Sequence, residues 1–119
     1  MKKTLVIGAS TNPERYSYLA INSLLRHGHE VVAIGRKEGE VGGVPILTGQ
    51  PELTDIDTVT LYVNLSHQEE YYDYVLGMKP KRIIFNPGAE NFDFMLRARE
   101  AGIETLEACS LVLLATGQF

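Results

Sequence analysis

The residues of this sequence best suited to binding chemistry lie in one short segment near its start. Ser10, Thr11 and Asn12 offer hydroxyl and amide donors, and Arg15 adds a fixed positive charge that can form bidentate hydrogen bonds. They follow the small pair Gly8–Ala9, at which an apolar run ends abruptly. Donors of this kind beside a fixed positive charge indicate a site for a phosphate or another anion.

This segment lies between a predicted strand and a predicted helix. Leu5–Ile7 is a short apolar run typical of a buried strand, and a helical pattern follows from Ser17 to His27, with Gly28 as its stop. Loop N–H groups and the positive end of the helix dipole converge where an anion can sit. The alternative is a tight turn whose glycine only relieves crowding.

The rest of the chain alternates strands and helices. Further strands are predicted at Glu30–Gly35, Val44–Leu47, Thr58–Val63, Arg82–Phe85 and Ile103–Leu106. Further helices are predicted from His67 to Leu76, behind a capping box of Ser66 and Glu69, then from Asn91 to Ala101 and from Ser110 to Thr116. Glu38–Gly43 is predicted to be a turn, and Pro51–Leu53 one turn of helix.

This alternation predicts an α/β, Rossmann-like fold. Strands separated by helical crossovers form a parallel sheet with helices on both faces, and the doubly wound strand order is 3-2-1-4-5-6. At 119 residues, the chain is long enough for a single domain. The ligand of such a sheet lies at the carboxyl ends of its strands, between the first and the fourth.

That rule gathers residues that are distant in the sequence into one predicted site. Its members are Gly8, Ala9, Ser10, Thr11, Asn12 and Arg15 of the first loop, Arg36 and Lys37 after the second strand, Val63 and Asn64 after the fourth, and Asn86 and Gly88 after the fifth. The dinucleotide pattern G-x-G-x-x-G is absent, and no acidic residue ends the second strand to bind a ribose hydroxyl. The basic pair Arg36–Lys37 suits a phosphorylated ribose instead, as in NADP or coenzyme A (CoA).

The opening motif resembles a known family. Val6–Ser10 and Asn12–Tyr18 closely resemble the start of the small stand-alone CoA-binding domain proteins, a domain similar to the nucleotide-binding part of the succinyl-CoA synthetase α-subunit. The resemblance implies that the first loop holds a pyrophosphate, that Arg36 and Lys37 meet the adenosine phosphate or adenine, and that Val63–Asn64 borders the adenine. The chain departs from the family pattern around the expected ligand, at Gly35–Arg36, Tyr62–Leu65, Phe85–Gly88 and Cys109–Ser110.

No set of residues predicts a reaction. His27 and His29 flank the end of the first helix, away from the predicted site, and His67 is expected on a helix surface near the ligand end. Cys109 precedes an apolar helix whose dipole could lower the pKa of a thiol, but a buried, inert thiol is favoured. No cluster has metal-ligand spacing, and no Ser, His and acidic residues form a nucleophilic set.

The composition narrows the class of partner. A net charge of −4 with no basic tract argues against general binding to nucleic acid or to an anionic membrane surface. The single cysteine fits a reducing compartment, so a cytoplasmic protein is expected. A dimer surface could come from Tyr71, Tyr72, Tyr74 and the apolar run Leu111–Leu114.

The favoured function is therefore a non-catalytic module that binds CoA, an acyl-CoA or a related phosphorylated adenine nucleotide. Three alternatives stay open: a small NADP-type oxidoreductase, a component of an acyl-CoA ligase acting with a partner enzyme, and a ligand-free interaction protein. The altered Gly35–Arg36 and Asn86–Gly88 segments speak for the last of these.

Overall fold

In the computed structural model, which describes residues 1–119, seven strands form one sheet and four helices pack on it. The strands are β1 (Thr4–Ala9), β2 (Val31–Gly35), β3 (Gly39–Val41), β4 (Val44–Leu47), β5 (Thr58–Leu61), β6 (Arg82–Phe85) and β7 (Glu104–Glu107). The helices are α1 (Tyr16–Arg26), α2 (Tyr72–Met78), α3 (Phe92–Glu100) and α4 (Ser110–Ala115).

The sheet confirms the α/β, Rossmann-like class. Its strand order is β3-β4-β2-β1-β5-β6-β7, and every pairing is parallel except that of β3 with β4. The six strands predicted from the sequence keep their predicted order, and β3 adds a seventh at one edge. The fourth predicted strand ends at Leu61 rather than Val63, which leaves the chain free to diverge from the sheet before the site.

The extra strand β3 lies where the sequence predicted only a turn, within Glu38–Gly43. Gly42 and Gly43 both have positive φ, 57° and 87°, so they form a two-residue turn that folds β3 back onto β4. Val41 is buried by this pairing, whereas Gly39 and Glu40 are exposed. One inward-facing valine and two turn glycines make a short edge hairpin.

Two predicted helical segments are wrong. The segment predicted as helix from His67 consists of two 3₁₀ turns, Leu65–His67 and Glu69–Tyr71, and α2 begins only at Tyr72. Ser66 Oγ donates to Asn64 Oδ1 at 2.7 Å instead of capping a helix. Pro51–Leu53 forms no helical turn, and the Pro51 carbonyl accepts a hydrogen bond from the Tyr74 hydroxyl.

The core has two halves, one on each face of the sheet. Helices α1 and α4 cover one face with Ile21, Leu24 and Leu114, while α2 and α3 cover the other with residues that include Phe94 and Tyr72. Tyr72 and Leu114 are therefore unavailable for the predicted dimer surface, because they pack inside the domain. No helix is long and apolar enough to cross a lipid bilayer.

The two outermost strands carry acidic side chains. Glu40 projects from β3 into solvent, and Glu104 and Glu107 do so from β7 at the opposite edge of the sheet. Between these edges the central strands β1, β5 and β6 are almost wholly buried.

Candidate functional site

A cleft of about 700 Å³ opens at the carboxyl ends of β1, β2, β5 and β6. This is the topological switch point of the sheet: the strand that follows β1 in the chain, β2, lies on one side of it, and the strand that follows β5, β6, lies on the other. The residues that line the cleft are Gly8, Ala9, Ser10, Thr11, Arg15, Tyr16, Ser17, Arg36, Lys37, Tyr62, Val63, Asn64, His67, Pro87, Gly88 and Ala89. All residues of the predicted site line it except Asn12 and Asn86.

The floor of the cleft depends on a close approach at Gly8. Its φ is +97°, and a Cβ atom there would lie 3.0 Å from the carbonyl carbon of Tyr62. The Tyr62 N–H donates to the Ile7 carbonyl at 2.9 Å, which draws the start of the β5 loop against the end of β1. Only glycine combines this backbone conformation with this spacing, so Gly8 fixes where the first loop begins.

The first loop is shaped by its own polar groups. Ser10 Oγ accepts the Asn12 N–H at 3.0 Å, and Asn12 Oδ1 accepts the Glu14 N–H at 3.0 Å. The Asn12 carbonyl then accepts the Arg15 N–H at 3.0 Å, which leads the chain into α1. Asn12 thus shapes the loop from outside the cleft, a role that the type of residue alone did not distinguish from ligand binding.

One end of the cleft is strongly basic. Arg15 stands at the N-cap of α1, and Arg36 and Lys37 follow β2. All three side chains are exposed and none makes a hydrogen bond or an ion pair within the protein. Gly35 brings the two segments together, since a Cβ atom there would lie 2.4 Å from the Ala9 carbonyl oxygen. Three unpaired cations beside a helix N-terminus give this end of the cleft the chemistry that suits an anion.

The opposite wall is neutral and comes from two loops. The loop after β5 contributes Val63, Asn64 and His67, and the loop after β6 contributes Pro87, Gly88 and Ala89. His67 is exposed, as expected, but it faces this cleft rather than a helix surface. The cleft therefore suits a ligand that is anionic at one end and uncharged along the rest.

Asn86 is buried beneath the cleft instead of lining it. Its Nδ2 donates to Thr60 Oγ1 at 2.7 Å and to the Leu61 carbonyl at 2.9 Å, and its Oδ1 accepts the Ser110 N–H at 2.8 Å. These bonds use both N–H donors of the side chain and its oxygen, and the residue is only 2% exposed. Asn86 holds the site together and is not placed to touch a ligand.

The Tyr62 hydroxyl is a buried polar group without a hydrogen-bond partner. Desolvation raises the pKa of Tyr62 to about 12, against the opposing influence of the neighbouring Thr60 and Ser110 hydroxyls. The Thr60 and Ser110 hydroxyls form a hydrogen bond with each other at 2.9 Å, and neither is hydrogen-bonded to the Tyr62 hydroxyl.

Sequence reasoning missed several residues of the cleft. The pattern predicts Ser17 in the first helix and Tyr62 in a strand, and it gives Tyr16, Pro87 and Ala89 no individual role in the site. Their positions beside predicted site residues were the available signal, because neighbours at a strand end share the rim of a cleft.

The other candidate reactive groups lie apart from one another. His29 Nδ1 accepts the Lys2 N–H at 2.9 Å, and its ring packs on Phe119, so it has a structural contact. Cys109 is half-buried, not buried, and occupies the N-cap of α4. No group of three His, Cys, Asp or Glu residues converges on a metal position.

Comparison with solved structures places the fold among known relatives. An uncharacterized protein is 49% identical with a TM-score of 0.97, covering 100% of this chain and 98% of its own. A hypothetical protein from Pyrococcus horikoshii OT3 is 27% identical with a TM-score of 0.84, covering 93% of this chain and 80% of its own. No curated protein matches the chain.

A larger enzyme contains a domain of the same fold. The dinucleotide forming acetyl-coenzyme A synthetase 1 of Ca. Korarchaeum cryptofilum is 18% identical with a TM-score of 0.74, and the match covers 90% of this chain but only 25% of the synthetase. At that identity the likeness concerns the fold alone.

The family assignment comes from the sequence as a whole. The family model described as "CoA binding domain" matches residues 2–115, which include both loops of the cleft and its basic end. The chain therefore belongs to the CoA binding domain family.

Proposed function

We propose that this protein binds CoA or an acyl-CoA in the cleft at the carboxyl ends of the strands. The observation on which this rests is the unpaired trio Arg15, Arg36 and Lys37 at one end of a cleft in a CoA binding domain. The whole chain has a net charge of −4, so this positive end is a local feature and not a property of the surface at large.

The charges match the two anionic parts of CoA. The diphosphate fits the first loop, where Ser10 and Thr11 line the cleft and Arg15 stands at the start of the helix. The 3′-phosphate fits the pair Arg36–Lys37, which is the only basic pair that directly follows a strand lining the cleft. The uncharged arm of the ligand would then lie along the neutral wall.

The experiment is a calorimetric titration with CoA, dephospho-CoA, NADP and NAD. We expect saturable binding of CoA and a weaker affinity for dephospho-CoA, which lacks the 3′-phosphate. In the double variant Arg36→Ala/Lys37→Ala, the CoA affinity should fall about tenfold and approach that of dephospho-CoA, since each lost ion pair is partly screened by water.

The matched control removes two cations elsewhere. Arg97→Ala/Arg99→Ala changes the net charge equally on α3, where Arg97 pairs with Asp93 and Arg99 bonds to Thr105. That variant should keep the parent's affinity for CoA. An equal loss of CoA affinity in both double variants would assign the effect to net charge. If the parent protein showed no binding of CoA, the proposal would be rejected.

NADP is the second candidate ligand, favoured by the same basic pair. Its 2′-phosphate would occupy the position proposed for the 3′-phosphate of CoA. Tighter binding of NADP than of CoA in the parallel titration would replace the proposal with a nicotinamide-nucleotide site.

A further inference from the structure

The two loops of the neutral wall are not joined by the sheet. The parallel ladder between β5 and β6 ends at the pair Leu61 and Phe85. No backbone hydrogen bond links residues 62–68 with residues 86–91, although both stretches line or flank the cleft. Any direct hydrogen bond between the two loops must therefore involve a side chain.

Gln68 supplies that link. Its Nε2 donates to the Val63 carbonyl at 2.7 Å and to the Ala89 carbonyl at 2.6 Å, one from each loop, and both of these residues line the cleft. The side chain is 0% exposed. The two protons of one amide thus bridge the wall where backbone pairing has stopped.

The orientation of this amide is itself held from the far side. Gln68 Oε1 accepts a hydrogen bond from Asn91 Nδ2 at 3.0 Å, and the same Asn91 amide donates to the Tyr72 hydroxyl at 2.8 Å. Asn91 Oδ1 accepts the Phe94 N–H at 3.0 Å as the cap of α3. Gln68 is therefore anchored to the start of α3 and cannot rotate without breaking several buried bonds.

We propose that Gln68 is a positioning residue that sets the separation of the two wall loops and so tunes the affinity of the cleft for its ligand. This inference rests on the proposed function for its ligand, CoA. Gln68 does not line the cleft, and it acts through the backbone of Val63 and Ala89. A wall held at a fixed spacing before binding avoids the entropy of ordering two loops around the ligand.

The test uses Gln68→Met, which keeps the length of the side chain but removes every amide hydrogen bond. Two quantities are measured on the folded variant: the affinity for CoA by calorimetry and, without ligand, amide hydrogen exchange residue by residue. We expect the affinity to fall on the order of tenfold, the lower end of the loss seen when the hydrogen-bond partners of metal ligands are removed. Exchange should become faster at His67, Gly88 and Ala89, whose N–H groups are hydrogen-bonded in the parent. It should stay unchanged at Arg15, whose N–H bonds to the Asn12 carbonyl in the first loop.

The control is Gln50→Met. Gln50 is an exposed glutamine whose Nε2 donates to the Glu70 carbonyl at 2.7 Å, outside the cleft. It should keep both the parent's affinity and the parent's exchange at the wall. A Gln68→Met protein with the parent's affinity or unchanged exchange at the wall would overturn the inference.

The outcomes separate this inference from the proposed function. If the parent fails to bind CoA, the proposed function is rejected, and the exchange data alone decide whether Gln68 holds the wall. If Gln68→Met does not fold, Gln68→Asn takes its place, because a shorter amide cannot reach both carbonyls. If neither variant folds, Gln68 is a folding residue and the inference is overturned.

Discussion

The side chain of Asn86, at the end of β6, accepts the backbone N–H of Ser110, the first residue of α4, at 2.8 Å. The N-cap residue of that helix, Cys109, makes no side-chain capping bond. A residue from a different element therefore satisfies an N–H group of the helix's first turn, which would otherwise be buried without a partner. This contact ties α4 to the carboxyl end of the sheet.

We expect Asn86→Ala to lower the free energy of unfolding by about 2–4 kcal/mol, because three buried partners, Thr60 and Leu61 on β5 and Ser110 on α4, each lose a hydrogen bond. Urea denaturation followed by circular dichroism measures the change. Asn64→Ala, at an exposed position of the same rim, should lower it by less than about 1 kcal/mol. Comparable losses in the two variants would contradict a scaffold role for Asn86.

Tyr62→Phe should have the opposite effect on stability. The phenol hydroxyl is buried without a partner, so its removal relieves a desolvation penalty and should raise the free energy of unfolding by up to about 1 kcal/mol. Thermal unfolding at neutral pH is a sufficient measurement. A destabilised variant would mean that the hydroxyl bonds to Thr60 or Ser110 in solution.

Gly8→Ala should destabilise the domain by about 2–4 kcal/mol, because the new methyl group meets both an unfavourable φ and the Tyr62 backbone. Gly43→Ala is the matched control, since its φ is +87° but no atom lies within 4 Å of the added carbon. It should lose only about 1–2 kcal/mol. The difference between the denaturation midpoints of the two variants measures the cost of the contact between the added methyl group and the Tyr62 backbone. Equal midpoints would show that Tyr62 moves to make room for it.

The free energy of unfolding should decrease as the pH is lowered, because His29 becomes protonated. Burial lowers the pKa of His29 below its ordinary 6.5, and the nearby positive charges of the N-terminal amino group and Lys2 lower it further. The folded state therefore favours the neutral ring, and its contribution is complete above pH 6.5 and lost as the pH falls through the lower folded pKa. Protonation of Nδ1 would also break the bond from the Lys2 N–H.

The measurement compares urea denaturation of the parent and of His29→Gln between pH 7.5 and pH 5.5. The parent should lose more stability over this range than the variant, because carboxyl groups titrate alike in both. Parallel pH profiles would show that His29 has the same proton affinity in the folded and unfolded chain.

The strand pattern and the position of the cleft could be predicted because they depend on local sequence. Short apolar runs give β1, β2 and β6, and Asn91 caps α3 as its residue type suggests. The carboxyl ends of parallel strands then bring Arg15, Arg36 and Asn64 to one cleft by topology alone.

The errors concern residues whose partners are distant in the sequence. In the sequence, Asn86 looks like a ligand-binding residue because it follows a strand. In the structure, its side-chain amide is hydrogen-bonded to Thr60 and Ser110 instead. The helix predicted from His67 is interrupted because Gln68 turns inward to bond with Val63 and Ala89. Neither choice follows from helix propensity or spacing, since each is decided by tertiary hydrogen bonds.

The glutamates on the two outer strands bear on how copies of this domain can meet. A second copy that added its β3 or β7 to either edge would place one acidic strand beside another, which like charges oppose. Short acidic edge strands of this kind oppose continuation of the sheet into a neighbour. The two edges of the sheet are therefore poor sites for edge-to-edge association between copies of this domain.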